Sequence, residues 1–467
     1  MTATAAAAAL AAPEGLRVVL QEVAATDARE TLRRASRLIS RRVGILRAVG
    51  PAVTYAQDPA VFSAGTVSSQ LSLSPRISNP GKAGGAGETL EASLAAAIGE
   101  AVERYSMLFY DKSQMILASY RDLGEPAVPP DLLRLHSRQQ VDDPRRSGKL
   151  AYFDGDSRLR WMWGWSLTHD RARLVPAALV YLGYDVGPEE AAIGSNASTG
   201  LAAGLTQEAA ILSGLYEVVE RDAFALSWLF RQVRRKVLVD DAELEAKLQT
   251  AFAIDRSSVS LDLFDLTFDI PMTSMLAVLR RPAEFGPALC VGAAARLSPR
   301  DAARKSLLEL GQGLPYLRVL MAQGSGWVAQ EDFANLTSFD HHLMLYNQQP
   351  NLVAAALAFY DSAREEPMSS IPDSSTGRLK GDVERCVDLL GQAGYEVIVV
   401  DLTTPDLREA GFSVVRVLVP GLVPLHGDHA LPYLGVARLR ELPWRLGWVD
   451  RKQDPLASLN PLPHPFP

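Results

Sequence analysis

The chain has 467 residues, of which 48% are hydrophobic and 22% charged, a composition typical of a globular protein with a large core. Its formal net charge of −7 argues against non-specific binding to nucleic acid. Two cysteines, Cys290 and Cys386, are too few for a disulfide framework or a zinc cluster. The seven histidines show no metal-ligand spacing, and the adjacent pair His341 and His342 is predicted to face solvent.

Residues 1–13 are rich in alanine and lack the basic start of a signal peptide. No run of about 18 apolar residues indicates a membrane span. We therefore expect a cytoplasmic protein without a membrane partner.

Asp27 and Glu30 resemble a capping box and open a helix that is predicted to continue to Leu46. The arginines of this helix lie on one face, which is either solvated or a docking surface for an acidic peptide or partner protein. They are Arg33, Arg34, Arg37, Arg41 and Arg42. We divide the chain at this point into an accessory or docking segment, residues 1–60, and a main domain, residues 61–467.

Two loops of small residues each precede an apolar helix. Residues 78–87 are glycine-rich and include Lys82, which suits contact with phosphate, although a flexible linker has the same composition. Residues 195–204 are also small, so the backbone can approach a ligand closely. The repeated order of loop and helix predicts an internal duplication.

The helix after each loop contains the pattern Glu-x-x-Glu-Arg, at residues 100–104 and 217–221. Residues i and i+3 share a helix face, so each helix directs two carboxylates the same way. Their neighbours are mostly apolar, which predicts that both helices are buried. Four buried carboxylates need a cation, and two facing pairs with arginines suit a Mg²⁺–polyphosphate site. The alternative is that each pattern is an ordinary ion-paired helix face.

A third helix is predicted after Ser298 and Pro299, which suit the N-cap and the first turn. Lys305, Glu309 and Gln312 share one face of it. Such a stripe usually faces solvent, but beside a nucleotide site it can contact the base or the ribose. The alternating prolines of residues 460–467 predict an extended tail; a disordered end is the alternative.

These features together resemble the YcaO family from roughly residue 62 to the last residue. The resemblance includes GLAAG (200–204), ERDAFALSW (220–228), RVLVPGLVPLHGDH (416–429) and PLPHPFP (461–467). The proline-rich end is similar to that of the SagD-type, azoline-forming cyclodehydratases of ribosomal peptide natural-product pathways. The family implies an α+β fold of mixed helices and mostly antiparallel sheets, with internal pseudo-duplication around a central ATP site.

The resemblance implies a reaction that depends on ATP and Mg²⁺. A Cys, Ser or Thr side chain of a precursor peptide attacks the preceding carbonyl, ATP phosphorylates the resulting hemiorthoamide oxygen, and loss of phosphate gives thiazoline or oxazoline. The implied magnesium ligands are Glu100, Glu103, Glu217 and Glu220. The implied ATP contacts are Lys82, Arg104, Ser198, Glu208, Arg221, Lys305, Glu309 and Gln312. The C-terminal Pro467 matches a catalytic residue whose carboxylate assists proton removal.

The sequence departs from the family pattern on the nucleotide side: Ala96, Thr199, Ala209, Ser213 and Lys305 replace Ser, Asn, Glu, Gln and Arg. The acidic pairs are intact, so catalysis remains the expectation. The alternatives are a thioamide- or amidine-forming YcaO enzyme, or a non-catalytic scaffold in a peptide-modifying complex.

No ThiF-like region is found in the sequence. We therefore expect a separate ThiF-like protein to bind the leader of the precursor peptide. The family also implies a homodimer and, as a further partner, a flavin-dependent dehydrogenase.

Overall fold

The computed structural model describes residues 12–54, 58–69, 82–144, 149–195, 197–251, 260–282, 284, 286–323 and 326–466. Three predicted features lie outside this part of the chain: residues 78–81 of the glycine-rich loop, the side chain of Lys82, and Pro467.

The strands are, in chain order, β1 (Leu46–Pro51), β2 (Phe62–Ser68), β3 (Lys82–Gly87), β4 (Ile116–Ala118), β5 (Leu159–Ser166), β6 (Arg171–Pro176), β7 (Leu201–Gly204), β8 (Arg235–Leu238), β9 (Ser260–Asp265), β10 (Thr273–Arg280), β11 (Leu289–Arg296), β12 (Glu365–Pro367), β13 (Ile398–Asp401) and β14 (Ser413–Leu418).

The α-helices are α1 (Ala28–Ala35), α2 (Leu90–Ser106), α3 (Tyr120–Leu123), α4 (Pro130–Leu133), α5 (Arg138–Val141), α6 (Ala177–Val180), α7 (Gln207–Phe230), α8 (Ala242–Ala251), α9 (Pro299–Ala322), α10 (Phe339–Gln348), α11 (Val353–Asp361), α12 (Leu379–Gln392), α13 (Pro405–Ala410) and α14 (Arg438–Arg445).

The strands form three sheets with mostly antiparallel pairing. The first sheet has the order β1-β2-β3, and the second has the order β11-β10-β9-β8-β12, in which β12 runs parallel to β8. The third has the order β4-β5-β13-β14-β7, and β6 also pairs with β5. The predicted α+β class of mixed helices and mostly antiparallel sheets is confirmed.

One local unit, a strand followed after two residues by a helix, occurs three times: β3 leads to α2, β7 to α7 and β11 to α9. In each unit a glycine of the strand lies directly against the helix backbone. An added Cβ would lie 2.2 Å from a backbone nitrogen of α2 at Gly85, 2.7 Å from α7 at Gly204 and 2.3 Å from α9 at Gly292. Only glycine permits such close packing. The sequence predicts two copies of a loop followed by a helix; the structure shows that residues 82–87 and 201–204 of these loops are strands, and it contains a third such unit.

Helix α7 is the centre of the fold. It packs against β7 and β14 of the third sheet and against β10 and β11 of the second. Of its 24 residues, 18 are buried, so its sequence is apolar on every side. Helix α2 buries one face, which includes Ala97, Ile98, Ala101 and Val102. The predicted burial of both acidic helices is therefore confirmed. Within the described residues, no helix is long and apolar enough to cross a membrane.

The N-terminal basic helix is shorter than predicted. Helix α1 ends at Ala35, and a tight turn at Gly44 brings the chain into β1 at Leu46, which pairs with β2. Pairing with a neighbouring strand overrides the helical pattern of the sequence. Leu38 and Leu46 of the predicted apolar stripe are still buried, whereas Val43 is 90% exposed. Strand β1 lies before residue 60 and β2 after it, and the division of the chain at residue 60 stays a prediction.

The adjacent histidines of α10 have different surroundings. His341 stacks on Trp327, with 4.2 Å between the ring centroids. The prediction that both histidines face solvent is wrong for His342, which is 0% exposed. Its face of the helix packs against the tail, and its Nδ1 lies 2.8 Å from the carbonyl oxygen of His464.

A buried ionic network joins α7 to α14. The guanidinium of Arg438 pairs with Asp222 of α7 at 2.8 Å and with Asp269 at 2.6 Å. Asp222 also accepts a hydrogen bond from the backbone N–H of Val423, at 2.9 Å. Because all three charged groups are buried, each depends on its partners for the hydrogen bonds that water would otherwise provide.

We expect Arg438→Met to lower the free energy of unfolding by about 3 kcal/mol, because the buried Asp222 loses its cation and Asp269 keeps only Arg445. The exposed pair Arg440–Asp454, at 2.6 Å, offers the control Arg440→Met, for which we expect a much smaller loss because water screens the pair. Urea denaturation followed by circular dichroism measures both. Equal losses in the two variants would contradict the expectation.

Candidate active site

Helix α2 carries the first acidic pair, Glu100 and Glu103. Glu100 accepts a hydrogen bond from the backbone N–H of Gly84 in β3, at 2.7 Å, and pairs with Arg104 at 2.5 Å. Glu103 accepts one from the backbone N–H of Ala203 in β7, at 2.9 Å. Through these two hydrogen bonds, the first acidic pair connects α2 to β3, the strand before it, and to β7, the strand before α7.

Helix α7 carries the second pair, Glu217 and Glu220. Glu217 accepts a hydrogen bond from the backbone N–H of Gly200, at 3.1 Å. Arg221 lies 3.6 Å from Glu217 and 3.4 Å from Glu220. Gly200 has a φ of +84°, and an added Cβ would lie 2.1 Å from the carbonyl oxygen of Val417. The glycine that opens the GLAAG loop is therefore required for this amide to reach Glu217.

The two pairs face each other. Burial raises the pKa of Glu103 well above its usual range, and the charge of Glu217 on the other helix raises it further. The amide of Ala203 opposes these effects and Glu100 adds to them. Carboxylates on two helices influence one another in this way only at short range. The structure thus brings together the two acidic pairs that the sequence places on separate helices.

Burial also disfavours the charged form of the second pair. Burial raises the pKa of Glu220 to about 7; Arg221 opposes this shift, whereas Glu309 and Glu217 add to it. Burial likewise raises the pKa of Glu217. Carboxylate oxygens are ligands that Mg²⁺ prefers. A bound cation also offsets the repulsion between neighbouring carboxylates. The residues present therefore fit a divalent cation.

Helix α9 brings a third set of polar side chains to the same cleft. Lys305 pairs with Glu309 at 2.5 Å. Burial alone would raise the pKa of Glu309, but Lys305, Arg221 and Arg296 hold it below the usual value. Gln312 lies over β3, since a Cβ on Gly84 would be 2.8 Å from its Nε2. The stripe on α9 thus borders the acidic pairs, while the side chains of Lys305 and Glu309 stay 31% and 37% exposed.

Two predicted ATP contacts lie at the margin of this cluster. Glu208 is buried at the start of α7, where it accepts a hydrogen bond from the backbone N–H of Gln21, at 2.8 Å. No contact among the described residues joins Glu208 to the acidic pairs. Ser198 is exposed in the turn just before Gly200. The two positions thus differ: Ser198 adjoins the cleft, and Glu208 anchors the N-terminal segment.

Sequence reasoning missed two cations near the site. Arg416 of β14 is 1% exposed and donates a hydrogen bond to the carbonyl oxygen of Ala197, at 2.8 Å. Burial lowers its pKa to about 10, and the charge of Glu217 acts in the opposite direction. Arg296 lies over the ring of Tyr216, 4.7 Å from its centroid. An arginine inside an otherwise apolar strand is the sequence signal that could have identified Arg416.

The C-terminal tail reaches the second acidic pair. The guanidinium of Arg221 lies over the ring of Phe466, 4.4 Å from the centroid, and Phe466 packs on Phe224 at 4.8 Å. The tail is therefore ordered up to Phe466, as its prolines predict, and its disordered alternative does not hold. Phe466 is the last described residue, and the side chain of Arg221 lies between it and the carboxylates of Glu217 and Glu220.

No three acidic, histidine or cysteine side chains of the described residues are arranged ready to hold a metal ion. The acidic pairs are instead bonded to backbone amides and arginines. A cation here would need oxygens from another molecule to complete its coordination, which is how Mg²⁺ is commonly bound together with phosphates.

Residues 84–423 match the family model described as YcaO cyclodehydratase, ATP- and Mg²⁺-binding. The chain is 29% identical over 347 residues to an uncharacterized protein of Methanothermobacter thermautotrophicus, a match that covers 72% of this chain and 80% of that protein. It is 28% identical over 291 residues to an uncharacterized protein in the tfuA 3′ region of Rhizobium leguminosarum bv. trifolii, covering 59% and 64%.

Solved structures share the fold. A heterocyclase in complex with substrate and cofactor has a TM-score of 0.78 and 27% identity, covering 96% of this chain and 59% of that chain. The heterocyclase TruD has a TM-score of 0.68 and 26% identity, covering 96% and 55%. YcaO from Methanopyrus kandleri bound with AMPPCP and Mg²⁺ has a TM-score of 0.62 and 21% identity, covering 90% and 98%, which shows the fold alone. This chain thus spans little more than half of the two heterocyclases.

We expect Glu220→Gln to raise the free energy of unfolding of the metal-free protein at pH 8 by on the order of 1 kcal/mol. The pKa of Glu220 rises from 4.5 to about 7 on folding, so its charge costs stability as pH rises above 4.5. The gain from Gln is therefore full above about pH 7 and absent below pH 4.5.

Thermal denaturation at pH 8 and pH 4.5 measures this difference. Glu384→Gln, on an exposed part of α12, is the matched control and should leave the midpoint unchanged at both pH values. A gain for Glu220→Gln that is as large at pH 4.5 as at pH 8 would contradict the expectation.

Proposed function

The chain belongs to the YcaO family, as the match over residues 84–423 shows, and from this premise we propose that it is an ATP- and Mg²⁺-dependent cyclodehydratase. Its substrate is a ribosomal precursor peptide, in which it converts Cys, Ser or Thr residues to thiazoline or oxazoline. The observation that carries the proposal is the convergence of two acidic pairs, on α2 and α7, with the polar face of α9.

The acidic pairs are the proposed magnesium ligands: Glu100, Glu103, Glu217 and Glu220. The raised pKa values of Glu103 and Glu220 support this role, because a bound cation offsets the burial and the repulsion that raise them.

The arginines are the proposed phosphate contacts. Arg104 and Arg221 each follow an acidic pair and lie beside it, so they can meet phosphate oxygens while the carboxylates meet the cation. Arg416, buried behind Glu217, adds a positive charge on the same side. The other proposed ATP contacts are Lys82, Ser198, Glu208, Lys305, Glu309 and Gln312.

ATP, when bound, supplies the phosphoryl group that makes the peptide oxygen a leaving group. The chain contributes position and charge: its helices hold the donors rigidly, and its arginines face the place where negative charge develops. Enclosure of the carboxylates by protein strengthens each of these electrostatic interactions.

We also propose that the carboxylate of Pro467 assists proton removal from the attacking side chain. The position of Phe466, packed under Arg221, supports this role, because Phe466 precedes Pro467 and Arg221 contacts both Glu217 and Glu220.

The proposed partners are the precursor peptide and a ThiF-like protein that binds its leader. A similar heterocyclase solved in complex with substrate and cofactor supports a substrate for this chain as well. The exposed arginines of the N-terminal segment are the proposed docking surface for an acidic peptide: Arg33, Arg37, Arg41 and Arg42. Arg34 does not belong to it, since it donates hydrogen bonds to the carbonyl oxygens of Leu205 and Gly411.

We expect the purified chain, with precursor peptide, leader-binding protein, ATP and Mg²⁺, to remove one water from the peptide per ring formed. Glu217→Gln should slow this reaction about 100-fold or more, because it removes a charge that holds the cation. Mass spectrometry of the peptide and phosphate release measure both, with Glu384→Gln as the control.

The outcomes separate the candidate reactions. A peptide that gains sulfur in place of oxygen would contradict cyclodehydration in favour of thioamide formation. Absence of phosphate release in the complete mixture would favour a scaffold without catalysis.

We expect a single alanine added after Pro467 to abolish ring formation while the affinity for ATP stays within about twofold, because the terminal carboxylate is displaced but the nucleotide contacts are kept. Turnover at the unmodified rate would reject the role of this carboxylate.

A further inference from the structure

Four of the seven histidines gather around the C-terminal tail. His342 of α10 and His464 of the tail stack face to face, with 3.7 Å between centroids and 3° between planes. His426 meets His464 edge-on at 5.1 Å, and His429 lies 6.4 Å from His342. His342, His426 and His464 are buried.

The hydrogen bonds of the stacked pair define how each ring is protonated. The Nδ1 of His342 lies 2.8 Å from the carbonyl oxygen of His464, and the Nε2 of His464 lies 2.8 Å from that of His426. A carbonyl oxygen only accepts, so each of these nitrogens carries the hydrogen. Burial lowers the pKa of both rings well below the usual value. Both rings are therefore neutral, and each is held in a single tautomer.

Other donors hold the tail by its carbonyl groups. The Nε1 of Trp228 in α7 donates to the carbonyl oxygen of Leu462 at 2.8 Å, and the hydroxyl of Tyr346 in α10 donates to that of Pro463 at 2.5 Å. The prolines of the tail have no N–H, so side-chain donors from the helices must supply most of its hydrogen bonds.

The stacked pair is the last of these anchors before the site. Phe466 follows His464 by two residues and packs on Arg221 and Phe224. The ring of Phe224 also meets His464 edge-on, at 5.9 Å. The direction in which the chain leaves His464 therefore decides where its final residues lie relative to the second acidic pair.

We propose that His342 and His464 are positioning residues for ring formation, which fix the end of the tail beside Arg221 through the bond from His342 Nδ1. This inference rests on the proposed function. The pair lies against the tail, α7 and α10. Because the proposed role of the tail is proton removal from the peptide, we expect the pair to affect kcat more than the binding of ATP.

His342→Phe tests the proposal, since phenylalanine preserves the stacked ring and removes the Nδ1–H donor. With the full chain, partner protein and precursor peptide, we expect kcat to fall about tenfold or more while KM for ATP stays within about twofold. Hydrogen–deuterium exchange of residues 456–467 should rise, and exchange of α7 should not change.

Two further variants are the controls. His342→Asn places an amide nitrogen near the position of Nδ1, and we expect it to recover a large part of both kcat and tail protection. His341→Phe changes the neighbouring residue, which stacks on Trp327 and accepts a hydrogen bond from the backbone N–H of Thr337, and should match the unmodified protein in kcat and in tail exchange.

Normal tail exchange and normal kcat in His342→Phe would overturn the proposal. So would a fall in kcat that His342→Asn does not relieve and that accompanies exchange throughout the chain, which indicates a general loss of stability. Failure of the proposed function gives a different result: no variant forms rings, yet His342→Phe still raises exchange in the tail.

Discussion

The repulsion between carboxylates on α2 and α7 is the constraint on which the rest of the site depends. Glu103 and Glu217 belong to different helices, yet the charge of one raises the pKa of the other. A protein keeps such an arrangement only where another charge offsets it. Around these residues the chain supplies backbone amides, from Gly84, Gly200 and Ala203, and arginines on each helix. These groups hold the acids in place without neutralising all of them, so the cleft retains its affinity for a cation.

Close packing of strand on helix gives this arrangement its precision. The glycines of β3, β7 and β11 let each strand rest on the backbone of the helix that follows it. Where backbone packs on backbone, the strand and the helix can shift less than where side chains separate them, because no side chain can change rotamer to accommodate a shift. The amides that meet Glu100 and Glu103 belong to two of these strands. The close packing of each strand on its helix therefore also positions the carboxylates of the first acidic pair.

The parts of the site that sequence could predict are those defined by local spacing. Three-residue intervals between carboxylates, and the i, i+4, i+7 stripe on α9, specify a helix face by periodicity alone. Contacts between distant segments could not be predicted in this way. Arg416 reaches the cleft because β14 pairs with β7, and His342 is buried because the tail covers it. The N-terminal helix is shorter than its pattern indicates for the same reason, since the pairing of β1 with β2 outweighs local periodicity.

The distance along the chain between contacting parts of the site has a consequence for how the protein folds. The cleft combines Gly84 near one end of the sequence with Phe466 near the other, and contacts of such separation form slowly and late. A partly folded chain can keep its helices and still have no cleft. A nucleotide that binds only the fully formed cleft stabilises the native state by mass action. Binding of nucleotide therefore also indicates that the chain has folded completely.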